Sequence, residues 1–308
     1  MGMKVTASAV RGIASAAAGL MLLLGIASSA RAADALVAYT ANLGDGTVTP
    51  IDTRTDRPGQ SFYVAPTPAG LGITPDSRTM FVTSFAGGSI TPVDLHTRRL
   101  GAAIPTGLLP VQVVVTPDGR TAYVGNLLSN TVTPVDVATL RAGTPIPVGS
   151  PGAITITPDG RKVYAANFLS ATVTPIDTAT NLAGRPIPVG TLPGMLNPGF
   201  DGRYLYVCNF VDNTVTVIDT LTDLPSAPIY TGRIPNGVAP THDGRKVYIT
   251  NFVDNDVVAI DVATRTIGPR IPVGLLPVPI RITQDGTKAY VANLVSNDVT
   301  VIDVATDL

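Results

Sequence analysis

One cysteine, Cys208, and two histidines, His96 and His242, are the only thiol and imidazole groups in the chain. A lone cysteine excludes a disulfide framework, a Cys-rich zinc site and a Cys-x-x-Cys-His haem attachment. Two histidines cannot build a multi-histidine metal centre within one chain. All 22 acidic residues are Asp, so any general acid or base work would fall to aspartate. Asp212, Asp254 with Asp256, and Asp298 recur near the carboxyl end of the chain. Calcium asks for about six to eight oxygens from a tighter cluster, so no metal is expected there. Arg281 is the one cation set inside an otherwise apolar stretch, where it must be paired or reach water. No Ser-His-Asp or Cys-His arrangement can be assembled, and no catalytic residue is assigned.

Composition narrows the frame that holds these residues. The chain is 45% hydrophobic and only 14% charged, with 30 Gly and 27 Pro. Without Glu, a strong helix former, and with abundant Val, Thr, Gly and Pro, it reads as all-β. A formal net charge of −1 gives no basic field for nucleic acid. Lys4 and Arg11, the apolar run from Gly12 to Ala27, and Ala30-Arg31-Ala32 have the form of a secretory leader with cleavage before Ala33. Residues 1–32 are therefore expected to be a signal peptide and 33–308 one extracytoplasmic domain, periplasmic, secreted or associated with the cell wall. Membrane attachment would arise only through an uncleaved leader.

A single unit repeats seven times. Its fixed polar residue falls at Asn42, Ser84, Asn126, Asn167, Asn209, Asn251 and Asn293, at intervals of 42, 42, 41, 42, 42 and 42 residues. The third unit shows the plan. Val111 to Val115 is an apolar strand A, and Thr116-Pro117-Asp118-Gly119 is a tight turn. Ala122 to Asn126 is strand B, Thr131 to Asp136 alternates as strand C, and Pro145 to Val148 is strand D. A four-stranded unit of about 42 residues has the dimensions of a propeller blade. The expected fold is thus an all-β, seven-bladed β-propeller of four-stranded blades. The first blade lacks a strand A and the last lacks a strand D. Pro50, Pro92, Pro134 and Pro175 fall inside strand C, where a proline cannot donate to a ladder.

The Tyr-Val-x-Asn strand, the Ser-Asn-Thr-Val step and the Thr-Pro-Asp-Gly turn resemble the YVTN β-propeller repeat over residues 35–308. The chain is similar to bacterial secreted seven-bladed propellers. More distantly it resembles the amine-dehydrogenase, nitrous-oxide-reductase and lactonase propellers. The resemblance implies blades rather than one chemistry. The haem and copper equipment of the redox relatives is missing, as are the Glu and His of the lactonases, so no cofactor is expected.

In propellers of this type the B–C and D–A loops share one rim at the channel mouth, and the A–B and C–D turns share the other. The A–B rim carries Arg and Lys interleaved with Asp, which reads as a solvated face. The fixed Asn is expected to bond its own loop backbone, and Cys208 to be a small buried filler. The B–C rim is apolar. After each fixed residue comes a pair such as Leu127-Leu128, Phe168-Leu169, Phe210-Val211 or Phe252-Val253, and the D–A loops add Leu108-Leu109 and Leu275-Leu276. If the second residue of each pair faces outward, an exposed apolar patch marks an interaction site. The expected docking residues are Leu109, Leu128, Leu169, Val211, Val253 and Leu276, with Arg233 and Arg281 as breaks in the repeat. The partner would be a protein, a glycan or an envelope component. Alternatives are a lactonase-like hydrolase using Asp and Arg281, and a self-associating envelope protein.

Overall fold

The computed structural model describes residues 26–32, 35–52, 55, 57–283, 285–296 and 298–308. All regular structure among them is β, in seven antiparallel sheets of three to five strands. The fold is a seven-bladed β-propeller. Two compact units divide it: one holds the described residues up to Ala165 with Thr174–Gly184, the other Ala166–Val173 with Arg185–Leu308. No helix among the described residues is long and apolar enough to cross a membrane.

The third sheet shows how the repeat folds. Pro110–Val115, Thr121–Asn126 and Thr131–Asp136 pair in order as strands A, B and C. The A–B turn closes on its own side chains. Thr116 Oγ1 donates to Asp118 Oδ1 at 2.5 Å, the same oxygen accepts the Arg120 N–H at 3.0 Å, and Gly119 supplies the left-handed φ of 72°. Strand D comes in two pieces rather than one. Arg141–Ala142 pairs with the end of strand C, and Ile146–Pro147 pairs with its start. Pro134 stands opposite the gap between them, and its carbonyl accepts the Gly143 N–H at 2.8 Å. The missing proline N–H therefore points where strand D makes no ladder bond, which removes the objection to proline in strand C. In the fifth sheet Val217 replaces this proline, and Ser226 Oγ accepts its N–H at 3.3 Å.

The fixed Asn has a different partner from the one expected. Asn209 Nδ2 donates to Thr214 Oγ1 at 3.0 Å and Thr216 Oγ1 at 2.9 Å, the first and third residues of strand C. Asn42 and Asn126 hold their Thr pairs the same way. The role is structural, but the bond is a clamp between strands rather than a turn within the loop. A second device joins neighbouring sheets. Tyr123 reaches a C–D turn of the next sheet, where its hydroxyl donates to Asn181 Oδ1 at 2.6 Å. Tyr248 does the same to Asp307, whose other oxygen accepts Lys246 Nζ at 2.7 Å. Burial first, and then Asp307, push the Tyr248 phenol above its ordinary pKa, so it stays a donor. Tyr248→Phe is expected to lower stability by about 1.5–3 kcal/mol in urea denaturation, the scale of a hydrogen bond to a charged group. An unchanged midpoint would show that the bond contributes nothing.

Two edges of the repeat need separate description. The first sheet has an inner strand, Ile26–Ala32, paired with Ala35–Asn42 up to Ala32↔Ala35. The sequence pattern left this place empty because the strand lies outside the repeat and uses small residues. Residues 1–25 of the expected leader lie outside the described residues, and cleavage before Ala33 would remove this strand. Among the described residues the last sheet has three strands, Pro277–Ile282, Lys288–Asn293 and Asp298–Asp303, with no described strand D.

In each sheet the B and C strands carry much of the buried apolar surface. In the second unit Tyr206, Cys208, Phe210, Val215, Val238, Ile249 and Val258 form one cluster. Cys208 is fully buried, and burial pushes its thiol up, so it is an inert filler. Adjacent A strands approach closely at glycine. A Cβ on Gly237 would lie 2.5 Å from the Val278 carbonyl oxygen and 2.6 Å from Thr250 Oγ1.

Candidate docking edge

The B–C and D–A loops are tied together by backbone bonds, and this tie decides which side chains face outward. In the second unit Phe210 and Val211 donate to the carbonyls of Leu192 and Thr191. Phe252 and Val253 donate to Ile234 and Arg233, and Leu294 and Val295 to Leu276 and Leu275. Side-chain direction alternates along such a short ladder. The first residue of each pair turns in: Phe210 is buried over Gly194 and meets Phe168 edge-on at 6.3 Å. The second turns out. Leu169 is 75% exposed, Val211 57% and Val295 52%, while Val253 is partly covered.

The D–A turns follow the same rule. Leu275 is half exposed, and Leu276 is the partly buried member. In the first unit Leu108 and Leu128 are exposed, and Leu109 is the partly buried one. Leu109, Leu192, Ile234 and Leu276 all hold a left-handed φ of 51–54°, each just before a proline. Bulky residues rarely adopt that region. Their carbonyls accept the N–H of Leu127, Phe210, Phe252 and Leu294, which holds the turn there. The outward residue of each D–A turn is thus one position earlier than the sequence reading chose. Side-chain amides brace the turns further: Asn213 Oδ1 accepts the Ile234 N–H at 2.9 Å, and Asn255 Oδ1 that of Leu276 at 2.8 Å.

Charges at this edge are consumed by its own framework. Asp254 accepts the Arg233 backbone N–H at 2.7 Å and pairs with the Arg233 guanidinium, and Arg270 lies 3.5 Å away. Burial raises the Asp254 carboxyl, but the two Arg233 bonds and then Arg270 outweigh it and hold it below the usual carboxylate range. Arg270 Nη1 also binds Asp256 at 2.6 Å, and Asp256 accepts Asn251 Nδ2 at 2.7 Å. Asp212 accepts the Thr191 N–H, and Asp298 accepts Asn293 and Ser296. Sequence reasoning missed Arg270; its signal was an arginine just before the strand D isoleucine in a unit whose strand C opens with Asp. Among the described residues no three His, Cys or Asp side chains gather as metal ligands.

Arg281 sits on an inner strand opposite Tyr290 and is partly buried. Its Nη1 donates to the Ile280 carbonyl at 2.9 Å, and no described carboxylate pairs with it. Burial lowers its pKa. His242 lies against Phe200, with ring centres 4.1 Å apart, at an A–B turn away from the docking edge. The A–B turns carry Arg120–Asp118, Arg161–Asp159 and Arg245–Asp243 pairs at 3.7–3.9 Å, all well exposed. Such pairs contribute little.

No family model and no curated protein matches the chain. Solved structures do. A hydrazine synthase structure from Kuenenia stuttgartiensis is 23% identical, with a TM-score of 0.81, over 96% of this chain and 100% of that one. A streptogramin B lyase is 16% identical, with a TM-score of 0.75, over 90% and 92%. The β-propeller domain of Myceliophteria thermophila Cps50 (Swd1) is 14% identical, with a TM-score of 0.71, over 87% and 93%. The likeness is one of fold. Two of these are enzymes by name and one is a propeller domain, so the fold alone selects no activity.

Proposed function

We propose that this chain is a secreted, YVTN-type propeller that works as a non-enzymatic binding module, docking an apolar-faced partner on its B–C and D–A loops. The observation that carries the reading is the exposure of Leu169, Val211, Leu275 and Val295, each at least half open to solvent, on loops whose backbone is already bonded. Apolar side chains on a fixed frame cost little ordering on association. The same loop position supplies the outward apolar residue in successive repeats, and an apolar surface built this way is a candidate interaction site. The partner is a protein, glycan or envelope component met outside the cytoplasm, as the leader expected at residues 1–32 would place it. A hydrolytic reading would need a carboxylate beside Arg281, and the described carboxylates at the docking edge are held in ion pairs and turn bonds instead.

The test is capture from an envelope fraction on the immobilised chain, run beside a variant carrying Leu169→Asp, Val211→Asp, Leu275→Asp and Val295→Asp. The wild type should retain a partner that the variant loses by about thirtyfold or more, the loss expected when one interface anchor of about 2 kcal/mol is removed. The variant's melting temperature should stay within a few degrees, since exposed sites tolerate change. Equal capture by both proteins would end the docking reading. A mass that falls on dilution only in the wild type would point to self-association.

A further inference from the structure

The third sheet carries a groove that the docking edge does not use. It lies wholly in the first unit, between strands B, C and D of the third sheet and the C–D turn of the fourth, with a volume of about 350 Å³. Pro134, Ala142 and Gly143 supply its apolar part, and Thr121, Asp136, Arg141 and Asn181 its polar part. The register sets the polar groups side by side. Asp136 stands opposite Thr121 on strand B and opposite Arg141 on strand D. Asn181 comes from the fourth sheet, held there by the Tyr123 hydroxyl, which donates to its Oδ1 at 2.6 Å. Glycine at 143 leaves the Pro134 ring open to the groove, since a Cβ there would lie 3.2 Å from Pro134 Cγ.

The bonding capacity left over in these groups defines a ligand. Asp136 spends Oδ1 on its own turn, accepting the Thr139 N–H and hydroxyl, each at 2.7 Å. Those bonds, the hydroxyl first, hold its carboxyl below the usual carboxylate range, so it is an acceptor at neutral pH. Asp136 Oδ2, the Arg141 guanidinium, the Thr121 hydroxyl and the Asn181 amide N–H bond to no described residue. One acceptor-only group thus stands beside two donor-only groups, and the charges of Asp136 and Arg141 cancel. A hydroxyl both donates and accepts, so a pair of neighbouring hydroxyls satisfies such a set. We propose that this groove binds a pyranose sugar through two vicinal hydroxyls. One donates to Asp136 Oδ2, and its neighbour accepts from Arg141 and the Asn181 amide. The C–H face of the ring rests on Pro134 and Ala142, and the volume is at the small-ligand end of binding clefts. An anionic ligand would be repelled by Asp136, and a cationic one by Arg141. Equivalent positions hold Arg99 and Leu140 at the second sheet, Leu182 and Asp223 at the fourth, and Leu224 and Arg265 at the fifth. An arginine beside a side-chain amide is therefore not a by-product of the repeat.

The experiment titrates the full chain with the methyl glycosides of glucose, galactose and mannose and follows its amides by NMR. At least one glycoside should shift the Thr121, Arg141, Ala142 and Gly143 amides and the Asn181 side-chain N–H, saturating with a dissociation constant on the order of 1 mM. Arg141→Ala, at an exposed side chain, should weaken binding about tenfold and leave the melting temperature in place. Asn181→Asp should weaken it several-fold by removing the amide donor. That variant keeps an acceptor for Tyr123, as Asp307 does for Tyr248. No shift from any of the three glycosides at about ten times the expected dissociation constant overturns the proposal. So does undiminished binding by Arg141→Ala. Glycine shifting the same amides at lower concentration than the glycosides also overturns it, because the groove would then be reading a zwitterion. Glycerol acting as strongly as the glycosides overturns it too, since no ring would be recognised.

Discussion

Replacing Gly237 by alanine is expected to destabilise the protein by about 2–3 kcal/mol, the upper range for forcing extra volume into a filled site. The added methyl would stand 2.5 Å from the Val278 carbonyl oxygen, which is backbone of the neighbouring A strand, and 2.6 Å from Thr250 Oγ1. Neither can retreat cheaply. Thr250 Oγ1 donates to that same Val278 oxygen at 2.9 Å, so the obstruction also breaks a buried hydrogen bond between the sixth and seventh sheets. Helix or strand propensity plays no part, since alanine fits strand backbone no worse than glycine. Thermal unfolding should shift down by roughly 3–5 °C. Gly44→Ala is the control, because nothing lies within 4 Å of its Cβ position. Equal melting temperatures for the two variants would mean that the A strands yield, and the close approach would not be a constraint.

Acid should unfold this protein over a narrow range. Twelve of the described aspartates are held below the ordinary carboxylate value of 3.8. At Asp76, Asp118, Asp243 and Asp285 the first cause is the threonine hydroxyl two residues earlier, followed by a turn N–H. At Asp94, Asp177, Asp261 and Asp303 the backbone N–H of a C–D turn comes first, then the threonine hydroxyl. At Asp159, Asp219 and Asp254 burial acts first and upward, and the hydrogen bonds overcome it. Asp285 is brought down to about 2. A carboxylate with a depressed native pKa stabilises the fold above the unfolded value and loses that contribution as pH falls through the native one. Stability should therefore be flat from about pH 7 to 5, and fall between about 4 and 2. Melting temperatures across that series give the answer. A curve that stays level down to pH 2 would show that the turn bonds survive protonation.

The repeat was readable because its signals are local. The even return of Asn126, Asn167 and Asn209, the Thr-Pro-Asp-Gly turns and the alternation of Thr131 to Asp136 each depend on neighbours in sequence. Cys208 as filler followed from the small residues in its column. What escaped depends on strands meeting. Pro134 looked out of place until the two pieces of strand D, Arg141–Ala142 and Ile146–Pro147, were seen to part beside it. The Asn209 clamp needed the register that brings Thr214 and Thr216 alongside. Leu108 and Leu275 face outward where the residue pattern points to Leu109 and Leu276, because no pattern of residue types marks a bulky side chain before proline as left-handed. The outward half of the B–C pairs was legible at Leu128, Leu169 and Val211, where alternation alone decides.

The tyrosine contacts between sheets set a rule for building with these units. Tyr123 is matched to Asn181, and Tyr248 to Asp307, each lying some 58 or 59 residues downstream in the following repeat. Phe81 occupies the same column, and Leu140 stands at the corresponding downstream position, so there both members are apolar. Compatibility is thus written across module boundaries. Shuffling single repeats would strand a phenol hydroxyl over a leucine, whereas tandem duplication carries lock and key together. A chimera assembled from such units should be joined between the tyrosine's repeat and the one before it, never between the tyrosine and its acceptor.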